Sequence, residues 1–256
     1  MATSFTSFSV SRVRQALAIA TAAAVAAAGF VFAAPMAATA ADPLSIESSK
    51  VLDLRFDDSL TDAGPNAASV TMQKGTAAYG TGIRGGAFNF TGSNAIRLGT
   101  AAYLQPQDLT VSFWYKPNAA MSGEQVFAWS KTVYNSDGWY LTSESATSPL
   151  ALSIGPSPSQ PYKVAVDAPR ADFFPTGQWT HVIVTYDKAT KAVSFYRNGI
   201  RQISTVKYPA SGTTTGVLGS ESTSVKTLGY NGPTYNGAHA NGLMDDYTLY
   251  NGVTTS

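Results

Sequence analysis

Three consecutive strands joined by two short turns are predicted between residues 178 and 206. The run 179–186 is rich in β-branched and aromatic residues, a polar turn follows at 187–191, and 193–197 alternates between apolar and polar positions. Asn198-Gly199 then opens a third run. A type I′ hairpin turn needs positive φ at both central residues, which Asn and Gly adopt at the lowest steric cost. The pattern therefore predicts an antiparallel meander.

Short apolar runs separated by Gly, Pro, Asn and Ser fill the chain from Val51 onward, and no long segment has the apolar period of a helix. This is the pattern of an all-β protein. The predicted strands are 51–56, 87–90, 95–98, 109–116, 125–130, 139–143, 151–154, 179–186, 193–197, 200–206, 227–229 and 243–250. An open sheet tends to split beyond about ten strands, so we predict a two-sheet antiparallel β-sandwich.

The predicted strand at 109–116 shows which of its faces is buried. Alternate side chains of a strand point to opposite faces of the sheet. One face carries Leu109, Val111, Phe113 and Tyr115, and the other carries Thr110, Ser112, Trp114 and Lys116. We predict that the first face packs in the core.

The first 41 residues are predicted to be a secretory signal peptide. Arg12 and Arg14 form a basic start, residues 16–34 are apolar and rich in Ala, and Ala38-Thr39-Ala40 is a small-x-small cleavage site. An uncleaved membrane anchor is the alternative, because the apolar run approaches the length of a spanning helix. With cleavage, residues 42–256 form a secreted domain that does not bind a membrane.

Charge and cysteine content exclude several functions. The 17 basic and 16 acidic residues give a formal charge of +1, too little to attract nucleic acid. The chain has no cysteine, which excludes disulfides, thiolate metal sites and cysteine nucleophiles.

Six segments, taken in order, carry a family resemblance. They are LDLRFDDSLTDAGPN at 52–66, GIRGGAFNFTG at 82–92 with the following AIRL, LTVSFWYKP at 109–117, QWTHVIVTYD at 178–187, VSFYRNG at 193–199 and NGLMDDYTLYN at 241–251. This order resembles a laminin-G-like, concanavalin A-like jelly-roll domain of the bacterial type. The resemblance implies a jelly roll whose first and last strands are neighbours. Domains of this family act as carbohydrate-binding modules, adhesion domains and accessory modules of polysaccharide-degrading enzymes, so the fold alone does not select a function.

The resemblance also implies a structural calcium site. Asp57, Asp62 and Asn66 near the start, and Asp245 near the end, match positions that hold the ion in the family. Calcium takes six to eight oxygen ligands and would relieve the repulsion between the carboxylates. The alternative is that Asp62 and Asn66 are ordinary turn residues and that Asp57 caps a loop.

A second group of residues suggests recognition of an extracellular polysaccharide or other glycan. Aromatic faces pack on the C–H surfaces of sugars while amides and carboxylates bind the hydroxyls. We predict binding through Trp139, Tyr230, Asn231, Tyr235 and Asn236. In the alternative interpretation, Asn-Gly pairs mark turns and the tyrosines cover the ends of strands.

These observations favour a secreted, non-catalytic, lectin-like module. The first alternative is a jelly-roll glycoside hydrolase or lyase that uses an acid pair such as Glu124 and Glu144, although no hydrolase or lyase motif is evident. The second is an adhesion domain whose ligand is a protein.

Overall fold

A computed structural model describes residues 43–131, 136–155, 162–208, 224–231 and 239–253. All of them belong to one compact unit, Ala40–Ser256. The predicted signal peptide lies outside the described residues. No helix within these ranges is long and apolar enough to cross a membrane.

The described chain is almost entirely β-structure. The helices are α1 (Pro43–Ser48) and α2 (Arg170–Phe173), with a 3-10 helix at Ala102–Leu104. The strands are β1 (Lys50–Leu54), β2 (Thr71–Lys74), β3 (Tyr79–Thr81), β4 (Gly86–Thr91), β5 (Ala95–Gly99), β6 (Leu109–Pro117), β7 (Gln125–Trp129), β8 (Trp139–Ser143), β9 (Ala151–Ile154), β10 (Tyr162–Val166), β11 (Thr180–Tyr186), β12 (Val193–Arg197), β13 (Ile200–Arg201), β14 (Ser204–Tyr208), β15 (Lys226–Leu228) and β16 (Asn241–Asn251).

The strands form two antiparallel sheets, as predicted. Sheet A has the order β13-β12-β11-β6-β16-β4-β3, and β1 also pairs with β16. Sheet B has the order β14-β10-β9-β8-β7-β15-β5-β2. The first and last strands are neighbours, with Leu52 opposite Leu249. This pairing joins the two ends of the domain.

The core lies between the inner faces of the two sheets. On β6 the predicted inner set, Leu109, Val111, Phe113 and Tyr115, is fully buried. Their neighbours Ser112, Trp114 and Lys116 are only partly buried on the outer face. Inner side chains of β11 and β16 pack in the same hydrophobic cluster. The alternation on β6 therefore identified both faces correctly.

The meander is confirmed in sheet A, with one difference in its third strand. Asn198 and Gly199 have φ of 50° and 80°, as a type I′ turn requires. The predicted third strand, 200–206, divides in two: β13 pairs with β12, whereas β14 pairs with β10 of sheet B. Strands β2, β3 and β10 were not predicted. β2 and β3 are only four and three residues long, too short for a clear alternation.

We expect the β1–β16 pairing to contribute strongly to stability. Leu52 is 0% exposed, so Leu52→Ala leaves a cavity and should lower the free energy of unfolding by about 2–5 kcal/mol. Guanidinium denaturation measures the change. Val206→Ala is the control, because Val206 is 52% exposed and its truncation should cost little. Equal stability of Leu52→Ala and the parent protein would show that the terminal strands are not closed in this way.

Candidate functional site

The last strand changes its partner half-way along one edge. Residues 241–244 of β16 pair with β4, and Tyr247 to Tyr250 pair with β1. Asp245 and Asp246 lie between these two ladders. We call this point the fork.

A β-bulge occupies the fork. On the other edge of β16, Asp245 lies opposite Trp114 and Thr248 lies opposite Ser112, so β16 has one extra residue over this interval. Asp246 has φ of 48°, the left-handed conformation that Asp tolerates better than most residues. Bulges of this kind redirect side chains and are frequent beside functional sites.

Asp245 holds a neighbouring turn with its buried carboxylate. Its Oδ2 accepts hydrogen bonds from the backbone N–H groups of Ile83 (2.7 Å) and Arg84 (3.3 Å), and its Oδ1 accepts one from Asp246 (2.8 Å). Burial raises the pKa of Asp245, and the hydrogen bonds to Arg84 and Ile83 oppose that rise. The carboxylate therefore fixes the backbone that carries Arg84.

Asp57 holds the other end of the same turn, residues 82–86. Its Oδ1 accepts a hydrogen bond from the backbone N–H of Gly86 at 2.9 Å. Gly85 has φ of 59°, and a Cβ there would collide with the Asp57 carboxylate. Glycine is thus required for this close approach. Two carboxylates, one at each end, hold the turn.

A groove of about 590 Å³ lies over the fork, on the outer face of sheet A. It is lined by Lys50, Asp53, Arg55, Asp57, Arg84, Ser112, Trp114, His181, Asp246 and Thr248. The lining combines an aromatic wall from β6 and β11 with charged side chains from β1, the 82–86 turn and the bulge.

The aromatic wall consists of Trp114 and His181. Their rings are stacked, with centroids 4.7 Å apart and an interplanar angle of 27°. The Nε2 of His181 is 2.9 Å from the Oγ of Ser112, and its backbone N–H donates to the Oδ1 of Asn198 at 2.8 Å. Burial lowers the pKa of His181, and the charge of Asp246 opposes this. The imidazole is therefore neutral at neutral pH.

Some side chains of the charged wall form ion pairs with each other, and others do not. Lys50 Nζ lies 2.9 Å from Glu47 Oε2 and 3.4 Å from Asp53 Oδ2, and an Arg55 nitrogen lies 3.8 Å from the same Asp53 oxygen. Within the described ranges, no hydrogen bond or ion pair engages the Asp246 carboxylate or the Arg84 guanidinium. One acceptor and one donor of the groove thus remain available.

The electrostatic environment of Asp246 is mixed. Burial raises the pKa of its carboxyl group. Arg84 opposes that rise, and the neighbouring carboxylates of Asp53 and Asp57 add to it. Asp246 is therefore a weakly solvated carboxylate close to other charges, which is a frequent property of functional groups.

A family model described as the concanavalin A-like lectin/glucanases superfamily matches residues 90–256. The chain belongs to this superfamily. The match covers the strands that form the aromatic wall of the groove and the bulge of β16. A search of curated protein sequences finds no match.

Solved structures of several carbohydrate- or receptor-binding domains have the same fold. Domain 4 of AbnA, a GH43 extracellular arabinanase from Geobacillus stearothermophilus, in complex with arabinotriose, is 25% identical, with a TM-score of 0.57; 81% of this chain and 94% of that chain are covered. A botulinum neurotoxin type C structure, whose cell entry depends on two ganglioside molecules, is 17% identical with a TM-score of 0.61. The binding domain of botulinum neurotoxin DC in complex with rat synaptotagmin II is 16% identical with a TM-score of 0.60. The alignments cover 82% and 81% of this chain but only 49% of each toxin chain, and these two similarities establish the fold alone.

The calcium ligands implied by the family resemblance do not form one site. Asp62 Oδ1 accepts hydrogen bonds from the backbone of Asp53 and Gly64, both at 2.8 Å, and its Oδ2 accepts one from Ala68 at 2.7 Å. The amide nitrogen of Asn66 donates to the carbonyl of Val51 at 2.9 Å.

The other two predicted ligands are also hydrogen-bonded to the backbone, since Asp57 and Asp245 hold the 82–86 turn. N–H groups occupy lone pairs that a cation would need. Across the described ranges, no three acidic or histidine side chains cluster as a metal site would require. These residues therefore do not fit a calcium ion.

Three of the five predicted sugar-binding residues, Trp139, Tyr230 and Asn231, lie within the described part of the chain, and all three are buried. Trp139 is 2% exposed and belongs to the core, which corrects its assignment to a binding surface. Tyr230 is 6% exposed; its ring stacks on His239 at 4.8 Å and lies under Lys74 Nζ at 4.5 Å. Asn231 is fully buried. None of these three side chains offers an open face. Tyr235 and Asn236 lie outside the described residues.

Sequence reasoning placed Trp114 on the outer face of β6 but did not select it as a site residue. The available signal was a large aromatic residue on the polar face of an otherwise alternating strand. Of the alternative acid pair, Glu144 forms an ion pair with Lys163 of sheet B at 2.7 Å. Neither Glu124 nor Glu144 lines the groove.

We expect removal of divalent metal ions to leave stability unchanged, because the predicted ligands are hydrogen-bonded to separate stretches of backbone and form no cluster among the described residues. The melting temperature should be the same in EDTA, in calcium and after dialysis. The measurement is differential scanning calorimetry of the purified protein. A melting temperature that falls in EDTA and recovers with calcium, but not with magnesium, would contradict this expectation.

Asp246→Asn should stabilise the protein at neutral pH. The pKa of Asp246 in the folded state is raised above its ordinary value of 3.8, so folding disfavours the ionised form. The stability gain should be complete above the folded-state pKa, shrink as the pH falls below it, and vanish below the ordinary value of 3.8, where the parent side chain is neutral in both states. Asn suits the left-handed backbone.

The control for this variant is Asp58→Asn. Asp58 is also left-handed, with φ of 51°, but is exposed. Its substitution should leave the melting temperature at neutral pH unchanged. A lower melting temperature for Asp246→Asn at neutral pH would mean that the Asp246 carboxylate stabilises the fold.

Proposed function

We propose that this protein is a secreted, non-catalytic glycan-binding module that holds its ligand in the groove over the fork. One observation carries the proposal: Trp114, Arg84 and Asp246 line a single groove, and the two charged groups have no partner among the described residues. Secretion follows from the predicted signal peptide at 1–41.

The three side chains supply the contacts that a sugar requires. An indole face packs on C–H groups, a guanidinium donates up to five hydrogen bonds, and a carboxylate accepts them from hydroxyls. Hydrogen bonds to charged groups are the stronger ones. A few placed polar groups beside an aromatic surface are typical of small-ligand sites.

The similarity to AbnA domain 4 supports the proposal. That domain was solved in complex with arabinotriose, and 94% of its chain is covered at 25% identity. Arabinotriose is therefore the first oligosaccharide to test.

A binding function is favoured over hydrolysis because the groove lacks a free pair of carboxylates. Glycoside hydrolysis requires two, one on each side of the scissile bond. In the described part of the groove, Asp53 contacts Lys50 and Arg55, and Asp57 is bound to the 82–86 turn. Among the described residues of the groove, Asp246 is the only one whose carboxylate has no hydrogen bond or ion pair.

The test is retention on polysaccharides, followed by titration calorimetry with arabinotriose. Trp114→Ala should weaken binding about tenfold, or about 1.4 kcal/mol, which is the size of an aromatic contact. Tyr208→Ala is the matched control, since Tyr208 lies on β14 of sheet B and should not affect binding.

Three outcomes would reject the proposal. The first is no retention of the parent protein on any polysaccharide. The second is equal binding by Trp114→Ala. The third is release of reducing ends from the polymer, which would indicate an enzyme. If a protein ligand is found whose binding free sugars do not compete, the module is an adhesion domain instead.

A further inference from the structure

We infer that the groove selects neutral sugars over acidic ones, and that Asp246 is the residue responsible for this specificity. The inference rests on the proposed function and narrows its ligand class to polyhydroxylated glycans that carry no acidic group. It follows from how the charges of the groove are arranged and paired.

The groove has no excess of positive charge to attract an acidic glycan. Three cationic side chains line it, and three carboxylates oppose them. The cations are Lys50, Arg55 and Arg84, and the carboxylates are Asp53, Asp57 and Asp246. His181 adds no charge at neutral pH, because burial lowers its pKa. The whole chain adds only a formal +1, so no long-range field compensates.

Two of the three cations are already neutralised in place. Lys50 lies between Glu47 and Asp53, at 2.9 and 3.4 Å, and Arg55 lies 3.8 Å from Asp53. The carboxylates of Glu47 and Asp53 offset the attraction that either cation would exert on a uronate or sulfate group. Solvent weakens the attraction of Arg55 further, since its side chain is 63% exposed.

Arg84 is the remaining cation, and it lines the groove together with Asp246. Arg84 lowers the pKa of Asp246, whereas Asp53 and Asp57 raise it. An anion that reached Arg84 would therefore bring a further negative charge into a region that already contains three carboxylates. A like charge at such short range is repelled, and the repulsion is stronger away from bulk water.

A neutral sugar meets no such repulsion. Neighbouring hydroxyl groups can donate to the Asp246 carboxylate and accept from the Arg84 guanidinium at the same time, since a hydroxyl both donates and accepts. The bulge directs Asp246 into the groove, and the 82–86 turn, held by Asp245 and Asp57, carries Arg84 to it. The pair is thus placed by backbone geometry before any ligand arrives.

The experiment compares neutral and charged oligosaccharides of similar length with the full protein. The neutral probes are arabinotriose, xylotriose and cellotriose; the charged probes are the acidic trigalacturonate and a heparin-derived tetrasaccharide. We expect at least one neutral probe to bind at least about tenfold more tightly than every charged one. We also expect its affinity to change less than about twofold between about 20 and 500 mM NaCl, because no charge is exchanged on binding.

Two variants test the role of Asp246. Asp246→Asn should weaken the neutral probe about tenfold, because the amide supplies one acceptor oxygen instead of two, and should narrow the gap to trigalacturonate. Asp58 is an exposed, left-handed Asp outside the groove. Asp58→Asn should therefore change neither the affinity for the neutral probe nor its ratio to the affinity for trigalacturonate. A melting curve of each variant confirms that it is folded.

The possible failures are distinguishable. Tighter binding of an acidic probe, with an affinity that falls steeply with salt, would overturn the neutral-sugar inference while leaving glycan binding intact. An unchanged selectivity in Asp246→Asn would remove Asp246 as the specificity residue. Absence of binding to every probe and polymer would reject the proposed function and this inference together.

Discussion

The structure depends on the change of partner along the last strand. β16 is hydrogen-bonded to β6 along one edge, while the other edge is shared between β4 and β1. Two separate strands cannot end and begin at one point without a gap in the ladder. The bulge at Asp245 and Asp246 lies at that gap, and both the bulge and the start of β1 line the groove. The same strand therefore closes the domain and supplies part of the groove.

Three carboxylates hold the loops around the fork, and two of them, Asp62 and Asp245, are buried. Asp245 accepts three backbone hydrogen bonds, as does Asp62, and Asp57 accepts one from Gly86. A carboxylate with several N–H donors satisfies backbone groups that loops would otherwise leave unpaired. Acidic residues that looked like calcium ligands in the sequence thus act as anchors for the chain itself. Asp246 differs because its carboxylate faces the groove and has no such partner among the described residues.

Where one face of a strand meets solvent, the sequence contained most of the structural information. β6 alternates between core and outer positions, and both faces were predicted from it. β8 is different, because all five of its residues are buried and neither face reads as polar. An aromatic residue on such a strand, like Trp139, cannot be assigned to a surface from its neighbours. That is why the buried Trp139 was predicted to lie on a binding surface.

The bulge is also visible in the sequence of the last strand. The inward residues Met244, Tyr247 and Leu249 are spaced by three and then by two, which breaks the alternation at the acidic pair. A slip of one residue in an otherwise alternating strand indicates a bulge. By contrast, the pairing states of Asp246 and Arg84 depend on contacts between strands distant in sequence. No local pattern reports them.

The most direct test of the site is the indole N–H signals of the four tryptophans in a ¹⁵N-labelled sample titrated with arabinotriose. Trp114 lines the groove, Trp179 lies outside it, and Trp129 and Trp139 are buried. With Trp114→Phe used for assignment, the account predicts a saturable shift of the Trp114 signal alone. Shifts confined to the other indoles, with Trp114 unmoved, would contradict it.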